Sequence, residues 1–291
     1  MADNMRAIKR RIKGVNSTKQ ITHAMELVAS SKLRKAREKA EARRAYFDEM
    51  IQTVKELASQ QVGKPTSPYL MKGQGKKSLV IVITANRGLA GGYNNNVIKL
   101  ALSHRENKDD MSFMVVGRKG IEFFKNRDYH VASTFHVNTE EPSYQEARQI
   151  GDKVISLFES GEFDQVYIAY TKFISTISQK PQCVRILPLD KDSLETGENE
   201  KSKSISATMQ YEPSEESVLE YIIPKYIMNT IYGAMIEGAA SEQGARRVAM
   251  EAATDNAEEM IEELTLSYNR ARQAQITQEI AEIVAGANSA K

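Results

Sequence analysis

Tryptophan is absent from these 291 residues, and cysteine occurs once, at Cys183. A lone thiol excludes an intramolecular disulfide and a thiolate-held metal cluster and fits a reducing compartment; a half-buried strand is its expected setting. No stretch approaches the roughly 18 apolar residues of a membrane span, and the charged N-terminus lacks the apolar run of a signal peptide, so a cytosolic or peripheral protein is expected. Proline is scarce, seven in all, and none precedes Pro65. The four histidines, His23, His104, His130 and His136, are scattered. None stands with an acid or a second histidine at metal-ligand spacing; His130 and His136 share a face of one strand pattern, but two ligands do not make a site. No serine or cysteine sits in a nucleophile elbow. Neither a catalytic residue nor a metal or cofactor is expected.

What is present is charge, unevenly spread, and a great deal of helical pattern. Hydrophobic residues make up 41% of the chain, enough for one large or two ordinary domains with a packed core. Residues 1–44 carry thirteen Lys/Arg against four acids, a net of +9, whereas residues 241–291 carry five bases and nine acids, a net of −4. The two ends are electrostatically complementary.

Positions 8, 12, 15, 19, 22, 26, 29, 33, 36, 40, 43, 47, 50, 54 and 57 step alternately by four and three, and eleven of the fifteen are apolar. Between Lys19 and Glu26 the row fails, and a neighbouring stripe of Ile21, Met25 and Val28 takes over, the drift of a nearly straight helix of period 3.6. With Gly14 as the weak point, the pattern predicts one helix over residues 4–59, on the order of 80 Å long at about 1.5 Å per residue. Such a stripe needs a partner helix of similar length. Residues 215–286 supply one, with Ala253, Ala257, Met260, Leu264, Ala271 and Ala274 on a stripe. Gly233, Gly238 and Gly244 weaken that helix by about 1 kcal/mol each relative to alanine, which close approach of a neighbouring helix would offset. Pro224 predicts a kink or a helix start.

Between the helices the period changes. Residues 78–84, 111–116, 129–137, 165–171 and 183–189 read as strands, and helical patterns at 94–104, 117–126 and 143–158 separate the first four. That alternation predicts an α/β layer with a largely parallel sheet. Residues 60–77 and 190–214 read as loops joining the layer to the rod. The loop 86–93 (NRGLAGGY) follows a strand and opens a helix, where a glycine-rich turn can cradle phosphate. A P-loop needs Lys-Ser/Thr where Tyr93 and Asn94 stand, and the dinucleotide pattern misses its third glycine. A structural turn and a phosphate site both remain open here. The second makes the chain a nucleotide-binding α/β enzyme using Gly88, Gly91 and Gly92, with the helices as an oligomerisation rod; a purely structural coiled-coil scaffold is a third reading. The cations of the first helix could track phosphates, but no aromatic residue precedes Tyr46 to stack on bases, so nucleic acid is not an expected partner.

Longer stretches are more specific. Residues 21–32 (ITHAMELVASSK), 240–243 (ASEQ), 245–250 (ARRVAM), 252–257 (AATDNA), 268–280 (YNRARQAQITQEI) and 282–286 (EIVAG), with Arg87, Gly88, Leu89, Gly91 and Gly92 in the middle, closely resemble the gamma subunit of F-type ATP synthases. The likeness spans nearly the whole chain, more loosely in the centre. It implies an α/β fold class: a long antiparallel coiled coil of N- and C-terminal helices with an inserted Rossmann-like α/β domain, divided at 1–59, 60–214 and 215–291. It implies a non-catalytic rotor shaft coupling transmembrane ion flow, of protons or sodium, to ATP synthesis or hydrolysis. The partners implied are the alpha and beta subunits of the catalytic hexamer, the epsilon subunit and the membrane rotor c-ring. Met25, with Gln243 and Arg246 on the facing helix, is implied to touch the moving lobes of the beta subunits; Arg272, Gln273, Thr277 and Glu279 to meet hexamer loops; and Tyr211, Glu212 and Pro213 to lie near the foot. A polar shaft surface is expected, because exposed ion pairs worth about 0–1 kcal/mol each exchange easily during turning. With no second cysteine, the disulfide regulation of the chloroplast members is excluded. A peripheral place on the cytoplasmic side of a bacterial inner or plasma membrane is expected, the lack of a transit peptide favouring a bacterium.

Overall fold

The computed structural model describes residues 2–60, 69, 70, 75, 77–104, 110–189, 212 and 214–289; most of the expected loops 60–77 and 190–214 lie outside these. Helix α1 (Ala2–Gln60) is followed by β1 (Ser78–Ile83), α2 (Tyr93–Ser103), β2 (Met111–Val116), α3 (Arg118–Lys125), β3 (Val131–Phe135), α4 (Tyr144–Glu159), β4 (Gln165–Phe173), β5 (Gln179–Leu187) and α5 (Glu215–Ser289). Packing divides the chain into two compact units, Met1–Ala29 with Arg246–Lys291, and Ser30–Ala245.

In the larger unit the sheet order is β3-β2-β1-β4-β5. The first four strands are parallel and β5 pairs antiparallel with β4. β1 is fully buried, and its period of two decides what lies on each face. Val80 and Val82 pack with Val97, Ile98 and Phe124 of α2 and α3. Leu79, Ile81 and Ile83 pack with Ile150 and Val154 of α4, Met50, Val54 and Leu57 of α1, and Leu219, Ile223 and Ile227 of α5. The inner ends of both long helices are therefore built into the core of the sheet. A capping box starts α4: Ser143 Oγ accepts from Glu146 N at 3.2 Å, and Glu146 Oε2 accepts from Ser143 N at 2.8 Å.

Within this unit Arg43, a charged member of the α1 row, donates to Asn229 Oδ1 of α5 at 2.7 Å and lies over the Tyr232 ring at 3.8 Å. The guanidinium thus fills a row position by pairing. Arg43→Ala is expected to cost about 1.5 kcal/mol by leaving Asn229 without its charged donor; loss of amide-exchange protection around Asn229, with Arg43→Lys as comparison, checks this.

In the smaller unit the two helices run antiparallel, with Thr22 Oγ1 2.7 Å from Thr254 Oγ1 and Lys19 paired with Glu258. The end-to-end charge complementarity is realised in that ion pair. The expected drift of the α1 stripe does not occur. Thr22 is buried at 8% exposure while Ile21 and Val28 are 60% and 55% exposed. The row keeps its seven-residue step because Lys19 and Thr22 are satisfied across the helix pair and Glu26 by His23 on its own helix, leaving no need for the apolar neighbours to replace them. The same step governs α5, where Met250, Thr254, Ala257, Ile261, Leu264, Tyr268, Ala271 and Gln275 are buried or half-buried. Of the expected stripe, Met260 and Ala274 instead face outward.

Pro224 is interior to α5, which begins at Glu215, so it does not start the helix. A Cβ at Gly238 would meet Tyr93 Oη at 3.1 Å, and one at Gly244 would meet Gln179 Nε2 at 3.1 Å. The close approach expected of these two glycines is thus to the α/β layer and not to the neighbouring helix, while Gly233 has nothing within 4 Å. His130 and His136 flank β3 and do not lie within it.

Candidate functional site

The site that the fold offers by topology is the crevice beyond the C-terminal end of β1, between β2 and β4, where an open parallel sheet of this order takes ligands. The residues at that end bind one another. Thr84 Oγ1 donates to Val116 O at 2.8 Å and accepts from Gly120 N at 2.9 Å. Asn94 Oδ1 accepts from Ala85 N at 2.8 Å. Asn86 donates through Nδ2 to Val137 O at 2.6 Å, accepts from Arg118 N at 3.0 Å, and gives its own N–H to Thr139 Oγ1 at 3.1 Å. The amides of residues 85 and 86 are thereby committed to the protein. Leu89 holds φ at 61° with 63% exposure, and Gly91 follows at 53°, a tight left-handed turn presenting an apolar side chain.

The crevice itself is occupied by α5. The space lined by Ile83, Tyr93, Val116, Thr139, Met235, Gly238 and Ala239 has no room for a water molecule. A nucleotide would have to displace a helix packed on the sheet, so the turn reading of this loop prevails over the phosphate site. Beside it, Glu140 pairs with Lys32 of α1 and lies 3.6 Å from Arg87 Nε.

Cys183, half-buried on β5 opposite Ala169, has its thiol pKa pushed from its ordinary 9.0 up to about 12 by burial. The folded chain retains this proton more tightly than the unfolded one, so the contribution to stability is complete below about pH 9 and is lost as pH rises toward 12. At pH 8 a disulfide reagent is expected to label native Cys183 far more slowly than the urea-unfolded chain, as a timed absorbance assay would record.

Among the described residues no group of three or more His, Cys, Asp and Glu is placed to hold a metal ion. His23 does approach an acid, Glu26 Oε2 at 3.3 Å, but as an exposed pair within one turn of helix.

The long helices carry the remaining sequence-predicted residues. Met25 is half-buried on α1. Gln243 and Arg246 of α5 are only 1% and 6% exposed. Arg272, Gln273, Thr277 and Glu279 are exposed on α5, where Glu279 accepts from Gln275 Nε2 at 2.8 Å. Glu212 is exposed, while Tyr211 and Pro213 lie outside the described residues. The register of Thr22 with Thr254 and Lys19 with Glu258 brings α1 to its start opposite about residue 275 of α5. Beyond that level Ile276, Ile280 and Ile283 are 46%, 57% and 72% exposed on one stripe. With Ile21, Leu27 and Val28 on α1, they overturn the expectation of a uniformly polar shaft. The isoleucines recur at 276, 280 and 283 on a face of their own, apart from the row that ends at Gln275.

A filled ligand crevice and a helix pair with outward apolar stripes define a mechanical or assembly subunit in place of a nucleotide enzyme. The family model described as ATP synthase matches residues 4–290. The ATP synthase gamma chain of Alkaliphilus metalliredigens is 50% identical over 291 residues, covering all of both chains. The sodium-ion-specific gamma chain of Acetobacterium woodii is 49% identical over 301 residues, covering 99% of each. Among solved structures, the rotor of the Euglena gracilis mitochondrial ATP synthase has a chain that superposes with a TM-score of 0.67 at 20% identity, over 95% of this chain and all of that one; at that identity the likeness is one of fold. The chain belongs to the ATP synthase gamma family.

Proposed function

We propose that this chain is the central rotor shaft of a rotary ATP synthase, non-catalytic in itself, coupling ion flow through a membrane rotor to ATP synthesis or hydrolysis in other subunits. The observation that carries the proposal is the outward apolar stripe of α5 beyond the start of α1, in a chain whose relatives are gamma chains over their whole length. Exposed isoleucines on a helix call for a surrounding partner. A hexamer of alpha and beta subunits would provide it, enclosing Ile276, Ile280 and Ile283 together with Arg272, Gln273, Thr277 and Glu279. Lower on the shaft, Met25 with Ile21, Leu27 and Val28 would meet the moving lobes of the beta subunits. Arg246, buried in the same unit, would support that contact from within, while Gln243 is buried in the larger unit. Tyr211 and Glu212 would belong to the foot facing the epsilon subunit and the c-ring, on the cytoplasmic side of a bacterial membrane. No helix among the described residues is long and apolar enough to cross a membrane, so attachment would run through these partners.

Pull-down of the tagged chain from native membranes tests this. Alpha and beta subunits in the eluate, with ATP hydrolysis, are expected; a lone chain that binds nucleotide would overturn it.

A further inference from the structure

We propose that the tip of the β4–β5 hairpin, residues 174–178, is a docking knob for a partner protein whose surface offers an apolar pocket edged by carboxylates. The knob lies wholly in the larger unit, and the proposal does not depend on the rotor reading. Exposure is the first observation behind it. Ile174 and Ile177 are 57% and 80% exposed, and Ile177 is the most exposed large apolar side chain among the described residues. A single apolar side chain at a surface calls for no partner, but two on one turn make a patch.

Rigidity is the second. Ser175 N donates to Ser178 O at 2.9 Å and Ser178 N to Ser175 Oγ at 3.0 Å, while Gln179 Nε2 donates to Ser175 O at 3.2 Å and to Thr176 O at 2.9 Å. The base is seated as well, with Phe173 packed on Leu33, Ala36 and Ala240. These bonds tie the turn to itself and leave the isoleucines as what it presents, already held in place, so docking them costs little ordering entropy. Charge is the third. Residues 165–187 hold Lys172, Lys180 and Arg185 and no acid. Lys172 and Lys180 stand directly opposite each other across β4 and β5, and Lys180 is exposed. Like charges so placed repel; carboxylates brought by a partner would turn that cost into attraction and fix the orientation of docking. An apolar pocket with an acidic rim answers both the isoleucines and the lysines.

The test places a nitroxide at Ile177→Cys, selectively because burial shields the Cys183 thiol, and compares the full chain alone with the assembly that co-purifies with it from native membranes. The rotational correlation time of the label is expected to rise several-fold in the assembly. Carbodiimide treatment of the unaltered assembly is expected to join Lys180 to an Asp or Glu of another protein, in a peptide with apolar neighbours. Lys180→Arg keeps the charge and is expected to abolish that product. Equal label mobility in chain and assembly overturns the proposal, as does a Lys180 product found only with carboxylates of this chain's own sequence. Immobilisation of the label on the chain alone by phosphatidylglycerol vesicles, with none in the assembly, would overturn it in favour of a membrane surface. If Ile177→Cys does not assemble, the label is read at Ile174→Cys, and the carbodiimide product of the unaltered chain decides.

Discussion

Gly117→Ala is expected to cost the α/β layer about 3 kcal/mol. Gly117 joins β2 to α3 with φ at 93°, and a Cβ there would sit 2.2 Å from Thr84 O and 2.8 Å from its carbonyl carbon. A left-handed backbone and an overlap with rigid main chain act together, and neither can relax without moving β1. The chain holds two compact units, so a single unfolding midpoint is not a clean readout. Amide exchange is: the β2 amides of Val115 and Val116 should lose protection while the amides of Ala253 and Ala257 keep theirs. Unchanged β2 protection would contradict the account of this corner.

Thr84→Val should cost about 2 kcal/mol at the same corner, and Thr84→Ser much less. The Thr84 hydroxyl bridges Val116 O and Gly120 N while wholly buried. Valine keeps the shape and removes the bridge; Val116 O keeps the Thr84 backbone N–H at 2.9 Å, but the buried Gly120 N–H loses its acceptor, for which about 1–3 kcal/mol is the usual cost. The same exchange measurement, read at Gly120 and Val116, separates the variants. Equal behaviour of valine and serine would show that the methyl and not the hydroxyl matters.

Much of this architecture was legible in the residues, because strong periodicity survives whatever surrounds it. The 4–3 step of α1 placed Ala29, Leu33, Met50, Val54 and Leu57 in the core, where all five are buried. The β-branched runs located all five strands, although β5 begins four residues earlier, at Gln179, because pairing with β4 extends it through polar residues. What periodicity could not reveal was specificity. Thr22 reads as a break in an apolar stripe until Thr254 stands opposite, and Arg43 likewise until Asn229 and Tyr232 do. The crevice was similarly hidden. Glycines after β1 suggested a ligand turn, and nothing local to 86–93 says that α5, some 145 residues later, fills the space by way of Gly238. Of the proposed contact residues, exposure of Arg272, Gln273, Thr277 and Glu279 suits a partner surface, whereas the burial of Gln243 and Arg246 depends on tertiary packing that no motif encodes.

The central claim is mechanical, and rotation measures it most directly. Asn126, exposed in the turn after α3, can be replaced by cysteine and labelled selectively because Cys183 is shielded. A bead carried there, on the purified complex fixed to glass by its stationary subunits, is predicted to turn in one direction when ATP is added and to stop when it is exhausted. A bead that stays still while the same complexes hydrolyse ATP would contradict the account.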